Sequence, residues 1–152
     1  MKTVSKQQLL GMAGHENEPS PWLLIDQDRV NLFADATNDH QFIHVDPVQA
    51  AATPFGTTVA HGYLTLSLLP YLAQQVAPVP EGLLMGVNYG LDKLRFPQPV
   101  KVGSEVRLRS KIVEVTEKVP GRILVKTEAT VEIRGEDKPA LVAETLAMFV
   151  VR

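Results

Sequence analysis

The chain has 152 residues, which suits one domain over 1–152 that buries about 70% of the surface its unfolded form exposes. Its 15 basic and 17 acidic residues are interspersed and leave a formal charge of −2, which excludes the basic patch that nucleic acid requires. The absence of cysteine excludes disulfides, thiolate metal sites and a cysteine nucleophile, and favours a cytoplasmic address.

The first residues carry no apolar run of the kind a signal peptide needs, so none is expected. Residues 5–12 read as a short helix, followed by a polar loop, Gly14-His-Glu-Asn-Glu-Pro-Ser-Pro21, in which His15 is a solvated residue. Residues 26–37 read as a helix capped by Asp26, with Arg29, Leu32, Phe33 and Ala36 on one face. Asp46 and Pro47 have the chemistry of an N-cap and first helical position, which predicts another helix to Ala52, and Thr53-Pro-Phe-Gly56 reads as a turn. The segment 61–77 is apolar nearly all round, the signature of a buried helix, with Pro70 loosening its interior. Its apolar stretch is too short, and too often interrupted by polar residues, to span a bilayer.

The second half has a period of two. Met85, Val87, Tyr89 and Leu91 alternate, and a shift to Leu94 and Phe96 predicts a bulge. Val106, Leu108 and Ile112 follow, then Ile123, Val125, Ala129, Val131 and Ile133, then Leu141, Ala143, Ala147, Phe149 and Val151. Turn residues separate these runs, as in an antiparallel meander with one solvated face. A buried helix followed by such a sheet is an α+β arrangement in which the strands wrap the helix: a hotdog fold, expected to pair edge to edge as a homodimer.

The chemistry concentrates in Ala34-Asp-Ala-Thr-Asn-Asp39-His-Gln-Phe-Ile-His44 and, further on, Ala60-His61-Gly62. Asp39 and His44 pair a carboxylate with an imidazole whose ordinary pKa of about 6.5 suits a base near neutral pH. They could polarise one water. Equally, Asp39 could turn the chain while His44 is a satisfied core residue. Gly62, at a helix start, could offer a free N–H to an oxyanion, or could simply let the helix pack closely. His61 reads as a polar cap or a supporting group. Asp39, His40, His44 and His61 have the composition of a metal set, but Pro47 and the turn residues deny the continuous helix that the His40–His44 spacing needs, so no metal is expected.

These residues resemble a known family. Phe33-Ala-Asp-Ala-Thr-Asn-Asp39-His-Gln-Phe-Ile-His44-Val-Asp-Pro47, Thr53-Pro-Phe-Gly56, Ala60-His-Gly-Tyr-Leu-Thr-Leu-Ser67 and Asn88-Tyr-Gly-Leu-Asp-Lys-Leu-Arg95 resemble the hydratase-2 motif of MaoC-like dehydratases, the (R)-specific enoyl-CoA hydratases. The branch most resembled is that of the nodulation protein N-like proteins. The likeness covers about residues 20–150. The family pattern is D-x-N-P-x-H after a glycine. Here Asn38 stands where glycine is usual, Gln41 where asparagine is and Phe42 where proline is.

The resemblance implies an enzyme with Asp39 and His44 as catalytic residues and Gly62 as oxyanion donor, acting on trans-2-enoyl-CoA. Gln41, His61 and Tyr63 would position substrate, and Phe42 and Leu64 would help bound the acyl pocket. It implies no metal or redox cofactor, CoA being carried by the substrate. Lys93, Arg95 and Lys101 are candidates for the CoA phosphates or for a solvated rim. Two alternatives stand beside this reading: a hotdog acyl-CoA thioesterase, against which 61–80 lacks any Asp or Glu, and a non-catalytic acyl-thioester-binding protein.

Overall fold

The computed structural model describes residues 2–152. A short strand β1 (Lys2–Val4) leads into helix α1 (Lys6–Leu10), which opens on a reciprocal cap: the Gln8 N–H donates to Ser5 Oγ and the Ser5 N–H to Gln8 Oε1. Gly11 ends it, short of the 5–12 span expected. The loop that follows runs along the sheet, and a second short strand, β2 (Leu23–Leu24), joins the sheet's edge.

Helix α2 (Gln27–Thr37) starts at Asp26 as expected, with the carboxylate accepting from the Arg29 N–H at 2.9 Å. Its buried face differs from the expected one. Val30 and Ala34 are fully covered with Phe33 packed beside them, whereas Leu32 is 70% exposed. Apolar residues lie on both sides of Phe33, so periodicity alone fixes the rotation poorly; the helix settles through its smaller side chains. It ends at Asn38, which takes the left-handed conformation (φ 58°, ψ 26°). That region is open mainly to glycine, asparagine and aspartate, which explains how asparagine can stand where the family pattern has glycine.

The connection after Asn38 contains a one-turn helix that was not expected, α3 (Phe42–Val45), and then α4 (Pro47–Ala51), which starts as its cap predicts. Asp46 accepts from the Val48 and Gln49 N–H groups, and those bonds hold its carboxyl below the usual range.

The helix expected over 61–77 is two pieces, α5 (Gly62–Ser67) and α6 (Leu69–Ala73). Pro70 has no N–H to return to the preceding turn, and the break falls just before it, at Leu68. Nor is this segment buried all round. Leu64, Thr65, Leu68, Leu69 and Leu72 are buried, but Tyr63 is 67% exposed and Tyr71 is exposed as well. The sheet of one chain covers one side of the helix only.

After β3 (Pro78–Pro80), which pairs parallel to β1, come β4 (Leu83–Arg95), β5 (Glu105–Val119), β6 (Arg122–Ile133) and β7 (Leu141–Val151). The order β2-β5-β6-β7-β4 corrects the simple meander: β4 pairs with β7, not with β5. The link between β4 and β5 crosses the end of the sheet, where Lys101 bridges Val59 beside the start of α5. The predicted bulge lies at Leu91/Lys93, with further register shifts at Leu83/Met85 and Asn88/Gly90.

The inward residues of β5 to β7, among them Leu108, Ala129, Val131, Leu141 and Ala143, pack against Leu64, Leu68, Leu69 and Leu72. Each large apolar side chain so buried contributes about 1.5–3 kcal/mol. The curled sheet thus fixes α5, and with it the Gly62 end, on a rigid base. Among the described residues, no helix is long and apolar enough to cross a membrane.

Candidate active site

Three loops and helix ends meet at the start of α5. His44 is buried, and its Nδ1 lies 2.6 Å from the Val59 carbonyl. A nitrogen that close to a carbonyl oxygen must carry the hydrogen, so Nδ1–H donates and Nε2 keeps its lone pair. Burial pushes the His44 imidazole below its ordinary pKa; the bond to Val59 opposes this, a charge on His61 adds to it, and the Asp39 carboxylate opposes it. The ring is therefore neutral near pH 7, with a free acceptor nitrogen.

Asp39 follows the left-handed Asn38. Its backbone N–H donates to Ala34 O at 3.2 Å, while its side chain is 54% exposed. One ligand atom each from Asp39, His44 and His61 fall within 4.8 Å of one another. A gap of that order between a carboxylate and an imidazole is bridged by a single water making two bonds of about 2.8 Å.

His61 is 3% exposed and occupies the N-cap position of α5, yet its side chain caps nothing. Its ring stacks on His44 (centroids 3.8 Å apart, planes at 25°) with Phe33 tilted against it at 5.0 Å. Its Nε2 donates to the Asp39 carbonyl at 2.9 Å. This stacking also bears on metal binding. Lone pairs lie in the ring planes, so two nearly parallel rings do not converge them on one ion. His40, the fourth member of the suspected set, is bonded to Asp35 at 2.7 Å instead.

Gly62 is the first residue of α5, and its N–H donates to no group among the described residues. A Cβ built on it would meet three atoms of the Phe96 ring at 3.2 Å. Close packing is therefore one reason for glycine here, and Phe96 is a neighbour that the sequence did not reveal. Tyr63 stands edge-on to the same ring, at the exposed rim. The Gln41 side chain does not join the cluster: it is exposed and has no hydrogen bond among the described residues, and only the Gln41 backbone N–H reaches the Asp39 carboxylate, at 3.5 Å. Phe42 is partly exposed at the start of α3. Of the three suspected cations, Lys93 is tied to Glu144 at 3.0 Å, whereas Arg95 and Lys101 have no carboxylate partner among the described residues.

Two residues were missed. Thr58, almost fully buried, donates to Gln27 Oε1 at 2.6 Å, and Gln27 Nε2 donates to the His44 carbonyl at 2.7 Å. This brace ties α2, α3 and the approach to α5 together beneath His44. A glutamine in the first turn of a helix and a threonine 31 residues away give no signal in one sequence.

A curled antiparallel sheet over a broken helix, with a carboxylate and an imidazole gathered at that helix's start, defines a hotdog protein of the hydratase type. The chain belongs to the MaoC-like domain family, whose model matches residues 9–135. It is 51% identical to 3-hydroxyacyl-thioester dehydratase Z of Mycobacterium tuberculosis over 146 residues, covering 96% of each chain. It is 44% identical to nodulation protein N of Rhizobium meliloti, covering 97% of this chain and 92% of that one. Among solved structures, the (R)-hydratase of Aeromonas caviae superimposes with a TM-score of 0.72 at 26% identity, covering 89% of this chain and 94% of that one.

Proposed function

We propose that this protein catalyses the reversible hydration of a trans-2-enoyl thioester to the (R)-3-hydroxyacyl thioester. The observation that carries the proposal is the buried, Nδ1-anchored His44, gathered with the Asp39 carboxylate and His61 so that one ligand atom of each lies within 4.8 Å of the others at the foot of α5. Relatives named as a dehydratase and an (R)-hydratase support it.

Water bound between Asp39 and His44 gives a proton to His44 Nε2 as its oxygen attacks C3. The electrons of the double bond move to the thioester oxygen, where the Gly62 N–H and the start of α5 stabilise the enolate. The proton then returns to C2, so the elements of water add as a whole; dehydration is the reverse. No metal or redox centre is required, and CoA enters as part of the substrate. Arg95 and Lys101, which have no carboxylate partner among the described residues, are the cations we assign to its phosphates.

With crotonyl-CoA and a chelator present, the expected result is loss of enoyl absorbance without release of free thiol. Thiol release at a matching rate would instead identify a thioesterase, and neither change would leave a binding protein.

We propose further that the working form is a homodimer. The thirteen-residue strand β4 lies at the edge of the sheet, with Leu84, Met85, Val87, Tyr89 and Leu91 all exposed. A long apolar edge of this kind invites pairing with another strand, and a second copy satisfies it by two-fold symmetry. Sedimentation equilibrium should give twice 16.7 kDa; particles of 16.7 kDa alone at micromolar concentration would defeat the dimer.

A further inference from the structure

His61 is built in a way that stability does not explain. With Nε2–H given to the Asp39 carbonyl, Nδ1 is left as a buried acceptor that has no partner among the described residues. An unmet buried polar atom costs about 1–3 kcal/mol. The surroundings are aromatic: Phe33 on one side and the His44 ring on the other. A phenylalanine would fill the same space without the unmet nitrogen. Phenylalanine would in turn leave the Asp39 carbonyl without its donor, so the fold alone gives imidazole no clear advantage, and its place between Asp39 and His44 points to a further reason.

We propose that His61 is a positioning residue for hydration: its ring fixes the plane of the His44 imidazole by stacking, and its Nε2–H holds the Asp39 carbonyl, so that one side chain sets the two halves of the water-activating pair against each other. This rests on the hydratase reading above. It differs from the sequence-based expectation that His61 positions substrate, because its hydrogen bond and its stacked face are both to the pair. Asp39 leaves the end of α2 with a half-exposed side chain, and from the α5 side His61 Nε2 meets it twice: at its carbonyl at 2.9 Å and, more loosely, at its carboxylate at 3.9 Å. His44 is pinned at its carbonyl by Gln27 and at Nδ1 by Val59, and His61 supplies the face of the ring that those two bonds leave undefined.

A consequence for pH follows. Burial is the main influence on the charge of His44, followed by the Val59 carbonyl, His61 and the Asp39 carboxylate. A positive charge on His61, whose ring lies 3.8 Å away, opposes one on His44. Its removal should raise the pKa of His44 and move the acid limb of kcat/KM to higher pH.

The test is His61→Phe, with His61→Gln as a second variant, each assayed with crotonyl-CoA from pH 5 to 9 alongside thermal melting. We expect His61→Phe to fold with a Tm near that of the wild type, the lost bond to the Asp39 carbonyl offset by removal of the unmet nitrogen, and to hold KM within about threefold. Its kcat should fall about 10- to 100-fold, the scale of a displaced catalytic group, with the acid limb moved upward. His61→Gln can still reach the Asp39 carbonyl and should recover part of kcat; if His61→Phe does not fold, a fall in kcat at unchanged KM in His61→Gln carries the same conclusion. Wild-type kcat and pH profile in a folded variant would overturn the proposal. So would a raised KM at unchanged kcat, which would make His61 a substrate contact. If Asp39 and His44 variants are inactive while His61→Phe is fully active, this inference fails and the hydratase reading stands.

Discussion

Asp39→Asn and His44→Ala should each lower kcat for crotonyl-CoA hydration by about 10²–10⁴-fold, the usual contribution of a positioned acid–base group. Asp39→Asn is the cleaner of the two. The side chain is half-exposed and its one hydrogen bond among the described residues is the long one from the Gln41 N–H at 3.5 Å, which an asparagine Oδ1 can still accept; the shorter bonds run through the backbone, N–H to Ala34 and carbonyl to His61. Its Tm should therefore stay at the wild-type value while activity is lost. His44→Ala removes a buried ring and strips the Val59 carbonyl of its donor, so it should melt lower by an amount corresponding to about 1–3 kcal/mol. The two losses should not add in the double variant, because the residues hold the same water. Wild-type turnover in both single variants would sink the assignment of the pair.

The second large effect concerns the N–H of Gly62. Gly62→Pro should run about 10²–10³-fold slower than Gly62→Ala, which is the cost of losing one oxyanion donor. Proline suits the first position of a helix, where its missing N–H breaks no internal bond. The residue before it is already compatible, since His61 sits at φ −59° and ψ 137°, the extended region that a following proline demands. Alanine is the control for packing. Its Cβ presses on the Phe96 ring as proline's does, but it keeps the N–H. Phe96 is partly exposed and can yield, so Gly62→Ala should fold and retain most activity. Equal rates in the two variants would mean that Gly62 serves only to let Phe96 pack against α5.

These two tests concern residues that the sequence already pointed to, and the reason is local. Asp39 and His44 are five residues apart, and the chain either side of them is set by Asn38, which ends α2, and by Asp46 and Pro47, which start α4. Asp26 likewise announced its cap. The strands were legible because each inward face repeats every second residue: Ile123, Val125, Ala129, Val131 and Ile133 are all buried as the alternation required. Pro70 announced the break in the central helix, since no neighbour can replace its N–H.

What remained hidden depended on contacts between distant segments. Periodicity could not tell whether Leu32 or Val30 faces the core, because either rotation buries apolar surface until the sheet is in place. The pairing of β4 with β7 follows from how the link after Arg95 crosses the sheet, which no strand pattern encodes. The brace from Thr58 through Gln27 to His44 and the stacking of His61 on His44 join residues 17 to 31 positions apart. The sequence by itself determined the chemical groups, their local turns and the α+β class, because caps, prolines and alternation act over a few residues. Only the tertiary structure decided which nitrogen of His44 is free, that Gln41 stands apart and that His61 grips the pair, because these depend on the direction of side chains once the sheet has closed over α5.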